Sequence, residues 1–126
     1  MNLNQVTVPS TDLAKSVPFY QKLGLQLIVD ALPHYARFEC PNGSSTFSIH
    51  QVEKRAEGEG VYVYFECDDL DARVRRIQSL GIEFEHGPKD QSWLWREARL
   101  KDPDGNQLIL YLAGKNRLNP PWRIEE

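Results

Sequence analysis

This chain is written twice. Displacing the sequence by 57 residues lays residues 6–27 on residues 63–84 without a gap, with Val6/Val63, Asp12/Asp69, Leu13/Leu70, Val17/Val74, Gln21/Gln78, Leu23/Leu80 and Gly24/Gly81 identical. A displacement of 62 lays residues 35–43 on residues 97–105, matching Ala36/Ala98, Arg37/Arg99, Pro41/Pro103 and Gly43/Gly105. The matches keep their order and set punctuation residues on punctuation residues, which shared helix grammar alone does not require. Between the copies lies EKRAEGEG (53–60), polar and glycine-containing as linkers are. A repeat of this length implies one supersecondary unit used twice: modules of about 1–52 and 61–112 within a single domain of 126 residues, followed by a tail, 113–126, with no counterpart.

Each module opens on a strand, because Gln5, Val6, Thr7, Val8 and Tyr62, Val63, Tyr64, Phe65 carry β-branched and aromatic residues at period two. A helix follows. Leu13, Val17, Tyr20 and Leu23, and likewise Leu70, Val74, Ile77 and Leu80, recur on one helical face, with Gly24 and Gly81 where a left-handed cap belongs. Pro18 suits only a first turn, so Ser16 is expected to cap the regular part of the first helix after a looser turn from Asp12; Asp68 or Asp69 caps the second. Three strands complete each module, at 25–29, 35–40 and 46–52, then 82–85, 93–101 and 107–112; the last two are joined by PNGSS and DPDGN, whose Asx-Gly pairs supply hairpin geometry. The expected fold is α+β: tandem βαβββ modules forming a curved mixed sheet around a cavity, helices on the outer face.

Strand alternation separates two faces. Val6, Val8, Phe38, Phe47, Ile49, Val61, Val63, Phe65, Ala98, Leu100, Leu108 and Leu110 fall on the helix side. The other face receives Gln5, Thr7, Arg37, Ser48, His50, Tyr62, Tyr64, Glu66, Trp95, Glu97, Arg99, Ile109 and Tyr111, richer in aromatic and hydrogen-bonding groups than a solvated surface needs. Such a face suits a small-molecule pocket or a dimer interface, and a dimer can complete the pocket. Trp93 and Trp95 are expected on one side, as a stacking platform or an interface anchor.

Composition excludes other classes. A net charge of -3 and a pI of about 5.6 give no basic footprint for nucleic acid, no apolar run reaches a membrane span, and MNLNQVTV is no signal peptide; a cytoplasmic location is the default expectation. Cys40 and Cys67 lie in apolar segments and read as buried free thiols. DPDGN opens like a calcium loop, but the sixth and twelfth positions counted from Asp102 are Gln107 and Ala113, so it is a turn. Arg73, Arg75 and Arg76 read as solvated, and His34 and His86 as loop residues without spaced partners. Adjacent prolines in the tail exclude helix; it is expected to run extended over the domain or a partner subunit with Trp122 as an anchor, or else to fray.

The paired modules, the LNQVTVPSTDL opening, the FYQKLGL helix end, the YFECDDLDARVRRIQSLGI stretch and the KDPDGNQLILYL hairpin resemble the vicinal oxygen chelate superfamily, which includes glyoxalase I, extradiol dioxygenases and the bleomycin and fosfomycin resistance proteins. The resemblance spans residues 1 to about 112. It implies small-molecule chemistry and, in catalytic members, a divalent metal held by one residue from the first and one from the last strand of each module. Those positions fall on Gln5, Ser48, Tyr62 and Ile109. Only Gln5 is an ordinary ligand of the family; a serine hydroxyl and a tyrosine with a solution pKa near 10 are poor neutral-pH ligands, and isoleucine has no donor. A displaced site using Gln5, His50 and Glu66 or Glu97 is the remaining route to a metal; otherwise His50 is a pocket or interface histidine hydrogen-bonded to a neighbour.

The expectation is therefore a homodimer that binds a small organic ligand without a tightly held metal, in the manner of the bleomycin-resistance branch, through Gln5, Ser48, His50, Tyr62, Tyr64, Trp95, Glu97, Ile109 and Tyr111. The alternative is a metal-dependent lyase, isomerase or dioxygenase of the glyoxalase type, in which Glu97 or Glu66 moves a proton. A third is an interaction module whose polar face is filled by a second subunit.

Overall fold

The computed structural model describes residues 1–125. In chain order it contains β1 (Gln5–Ser10), α1 (Leu13–Leu23), β2 (Gln26–Ala31), β3 (Tyr35–Glu39), β4 (Thr46–Gln51), β5 (Tyr62–Glu66), α2 (Leu70–Ser79), β6 (His86–Asp90), β7 (Arg96–Lys101) and β8 (Gln107–Leu112), then a short 3-10 turn, Gly114–Asn116. The repeat is realised as two four-stranded mixed sheets of matching order, β1-β4-β3-β2 and β5-β8-β7-β6. In each, the first strand runs parallel to the last and the others are antiparallel. This is the α+β arrangement of βαβββ modules that the sequence implies. The described residues divide into two compact units, Met1–Gly60 with Asp102–Asn106, and Val61–Lys101 with 107–125.

In the first unit α1 buries Leu13, Val17, Tyr20 and Leu23. Tyr20 packs its ring against Phe38 and Phe47, at centroid distances of 5.7 and 4.7 Å. Its cap differs from expectation. Asp12, not Ser16, is the N-cap, its carboxylate accepting from the Ala14 N–H, and Pro18 lies inside the helix. A proline there removes the bond to the Ala14 carbonyl; both residues are exposed, so water can solvate that carbonyl. Ser16 is instead buried, its hydroxyl donating to Asp104 Oδ2 at 3.0 Å. Gly24, at φ 109°, ends the helix as expected.

The turn between β7 and β8 belongs to the first unit. Asp102 accepts Tyr20 Oη at 2.5 Å, the Asp104 and Asn106 N–H groups at 2.9 and 2.8 Å, and Asn106 Nδ2 at 2.8 Å. Asp104 accepts the Thr11 N–H and hydroxyl, both at 2.7 Å, as well as Ser16. Both carboxylates are buried, and their lone pairs are consumed within the protein, so this segment is a structural turn and no calcium loop.

In the second unit α2 buries Leu70, Val74 and Ile77 but leaves Leu80 exposed, because the helix ends at Ser79 and Leu80 is already its C-cap. Asp69 holds the N-cap position without a side-chain cap bond. The strand expected at 82–85 lies at His86–Asp90 instead, which also takes His86 out of the loop class. HGPKD carries a glycine and a proline, tolerable because β6 is an edge strand. β7 begins at Arg96 rather than Trp93, since residues 92–94 turn and Leu94 has φ 66°. Val61 precedes β5 and is exposed, not on the helix side. Up to residue 125 the tail forms a 3-10 turn and further turns rather than an extended run, and Trp122 is exposed. Both cysteines are free; Cys67 is buried and Cys40 half-buried.

Candidate functional site

On the first unit, register sets Gln5, Thr7, Tyr35, Arg37, Thr46, Ser48 and His50 on the sheet face away from α1, since Arg37 pairs with Ser48, Tyr35 with His50, and Gln5 with Thr46. The hydroxyl of Ser48 is fully buried and central to a polar chain. Gln5 Nε2 donates to Ser48 Oγ at 2.9 Å and to Thr7 Oγ1 at 3.1 Å, while Gln5 Oε1 accepts from the Thr46 hydroxyl. Ser48 Oγ shares a 2.7 Å bond with Tyr35 Oη, which in turn accepts Arg37 Nε at 2.9 Å. The Arg37 guanidinium also lies over the Tyr35 ring. Partial burial pushes the Tyr35 phenol up, but the bonds to Ser48 and Arg37 and the guanidinium charge outweigh it, and the net shift is down. His50 is exposed, and its ring makes no hydrogen bond among the described residues. A strand end leaves it facing water. Tyr35 was not singled out by sequence; its position two residues before Arg37 on one strand was the available signal.

On the second unit the same face holds Tyr62, Tyr64, Trp95, Glu97, Arg99, Ile109 and Tyr111. Trp95 stacks on Tyr111 at 4.7 Å with planes 18° apart, and Tyr64 stands edge-on to both, at 5.8 and 5.7 Å. Ile109, Tyr111 and Ala113 form a buried cluster against which Tyr62 and Trp95 pack. The Trp95 indole N–H is satisfied by the Asn116 carbonyl at 3.2 Å, so the 3-10 turn fixes the ring. Trp93, outside the strand, reaches Glu97, donating to Oε2 at 2.8 Å. Glu97 is only 2% exposed. Burial, followed by the Glu97 charge, pushes the Tyr64 phenol up; burial and then Glu66 do the same for Tyr111, so both phenols remain neutral donors at physiological pH.

A sequence profile for the Glyoxalase/Bleomycin resistance protein/Dioxygenase superfamily matches residues 2–110. The chain belongs to this superfamily. No curated protein matches it. Among solved structures it is similar to a glyoxalase/bleomycin resistance protein/dioxygenase from Nocardioides, at 26% identity over 99% of this chain and 90% of that one, with a TM-score of 0.76. It shares its fold with a lactoylglutathione lyase from Agrobacterium tumefaciens (20% identity, 88% of this chain and 92% of that one, TM-score 0.72). It shares it also with a bleomycin-binding protein complexed with bleomycin (21%, 89% and 98%, 0.74).

The superfamily's metal positions, carried onto this chain, make a poor donor set. Gln5 and Ser48 spend their polar atoms on each other and on Thr7, Thr46 and Tyr35. Ile109 is wholly buried hydrocarbon, and Tyr62 lies under the Arg99 guanidinium at 5.0 Å. A divalent ion needs several N or O donors converging with free lone pairs, and these four residues do not supply them. Among the described residues no group of three or more His, Cys, Asp or Glu is placed to hold one. No described helix is long and apolar enough to cross a membrane.

Proposed function

We propose that this member of the superfamily binds a small organic molecule against its polar, aromatic sheet faces, without a tightly held metal, and acts by binding or sequestration. The observation that carries the reading is the aromatic group of the second unit, where Tyr64, Trp95 and Tyr111 surround the position at which a metal-dependent relative would need a ligand and Ile109 stands instead. Stacked and edge-on rings with neutral phenol donors favour flat organic ligands, held by burial and a few directed hydrogen bonds. The bleomycin complex of a protein with the same fold is consistent with that use. Gln5, Ser48 and His50 are the first unit's candidates; Tyr62, Tyr64, Trp95, Glu97, Ile109 and Tyr111 are the second's.

Metal analysis of the purified protein after exhaustive dialysis tests the reading, together with a tryptophan-fluorescence screen against small aromatic compounds. Substoichiometric metal, and a saturable response lost in Trp95→Ala, are expected. One retained equivalent of nickel, zinc, manganese or iron, released by Gln5→Ala, would overturn it in favour of a metal-dependent enzyme.

A further inference from the structure

The two units answer one question differently: what satisfies the arginine of the third strand. The repeat makes Arg37 and Arg99 equivalent, and each pairs in register with its module's last-strand position, Arg37 with Ser48 and Arg99 with Ile109. Each guanidinium lies over a tyrosine ring, Tyr35 at 5.5 Å and Tyr62 at 5.0 Å. In the first unit Arg37 Nε donates to Tyr35 Oη, which is tied on to Ser48 and Gln5. In the second unit every acceptor of that chain has changed. Tyr35 is replaced by Glu97, Ser48 by Ile109 and Gln5 by Tyr62. Glu97 turns its carboxylate to the Trp93 indole. Arg99 Nε is consequently buried with no hydrogen-bond partner, and Arg99 forms no ion pair among the described residues.

Arg99 as a whole is half-buried, but a donor of a charged group that is sealed from water and left unpaired is still costly, and a protein retains such a group most readily where something else completes it. The guanidinium fork matches a planar oxyanion in geometry and charge. From this we infer that Arg99 is the anchor for the anionic group of the bound molecule, and that the ligand is a planar, ring-bearing organic anion such as an aromatic carboxylate. Its charge pairs with Arg99, and its ring lies with Tyr62, Tyr64 and Trp95, the arginine stacked on Tyr62 being held in place for that contact. In a site built this way the positive charge that metal-dependent relatives import as an ion is supplied by a side chain.

This rests on the binding reading above, and its test is chosen to separate the two. Benzoate and its neutral isostere benzamide are titrated into wild type, Arg99→Gln and Arg99→Lys by tryptophan fluorescence and calorimetry, with circular dichroism melts confirming that each variant is folded. Benzoate is expected to bind wild type at least about tenfold more tightly than benzamide, to lose about tenfold or more in Arg99→Gln, and to recover part of it in Arg99→Lys. Binding that weakens as salt rises, for benzoate alone, accompanies these. Equal affinity for the two compounds with no effect of Arg99→Gln overturns the anion anchor while leaving small-molecule binding intact. No response to either compound, from folded wild type, overturns the aromatic-anion assignment, and the wider compound screen then decides separately on the binding reading.

Discussion

Replacing Tyr20 by phenylalanine tests whether the polar plug under α1 stabilises the fold or merely satisfies itself. The ring is fully buried between Phe38 and Phe47, and phenylalanine keeps those contacts, so the substitution isolates the hydroxyl. That hydroxyl donates at 2.5 Å to Asp102, a carboxylate 5% exposed that holds three further donors. Hydrogen bonds to charged groups contribute about 1.5–3 kcal/mol net; with three donors remaining, the lower end applies. Divided by a urea slope of about 1–3 kcal/mol/M, the unfolding midpoint falls by about 1 M with the slope unchanged. The alkaline limb gives an independent reading. Burial first, then the Asp102 charge, raises the Tyr20 phenol far above its ordinary value. A folded pKa above the unfolded one means that the stability is present below about pH 10 and is lost as pH rises past the unfolded tyrosine's titration. Tyr20→Phe therefore flattens the decline in stability above about pH 10 relative to wild type. Urea melts followed by circular dichroism from pH 7 to 11 measure both. A midpoint within error of wild type, together with an unaltered alkaline limb, would refute the claim that this bond contributes to folding.

Burial pushes the Asp104 carboxyl up, but hydrogen bonds from Ser10, Thr11 and Ser16 outweigh it and lower its pKa, so its stability is present above the unfolded aspartate range near pH 4 and is lost as pH falls below it; Asp104→Asn should weaken that acid dependence in urea melts between pH 2 and 5. Cys67 is pushed up to about 11, by burial first, and should react with a thiol reagent at pH 7 at least about tenfold more slowly in the folded protein than in urea. Pro18→Ala restores a helix N–H at an exposed site and should raise stability by about 1–3 kcal/mol, less the entropy returned to the unfolded chain. Gly105→Ala places a side chain at φ 81° against the Arg55 guanidinium and should cost about 1 kcal/mol, almost all of it backbone strain because the arginine can move aside.

Much of the architecture was legible because repetition and period-two alternation are local properties: the matched offsets gave element order twice, and alternation put Phe38, Phe47, Ile49, Leu100 and Leu108 in the core where they lie. The failures have local causes too. Ile82 and Phe84 alternate like a strand, yet the edge position went to HGPKD, whose pairing with β7 overrides its composition. Ser16 looked like a cap because nothing local announces that a hydroxyl six residues from Ser10 will meet a carboxylate 88 positions downstream. For the candidate site, the face membership of Gln5, Ser48, Tyr62, Trp95 and Tyr111 follows from pleat geometry alone. What sequence could not supply is side-chain direction: that Glu97 turns to Trp93 rather than Arg99 decides which group is left without a partner, and only rotamers reveal it.

The five residues 102–106 carry an engineering consequence. The glycine-bearing stretch at 53–60 invites division of the gene into two independent halves, as its polar composition would suggest. Yet the N-terminal fragment would then be made without the plug that receives the hydroxyls of Tyr20, Thr11 and Ser16, leaving the fully buried Tyr20 hydroxyl without its acceptor. Evolution has stitched the duplicate copies together at a spot far from the seam, so a split-protein reporter or circular permutant of this chain should be opened at an exposed bend elsewhere, with the DPDGN hairpin kept whole.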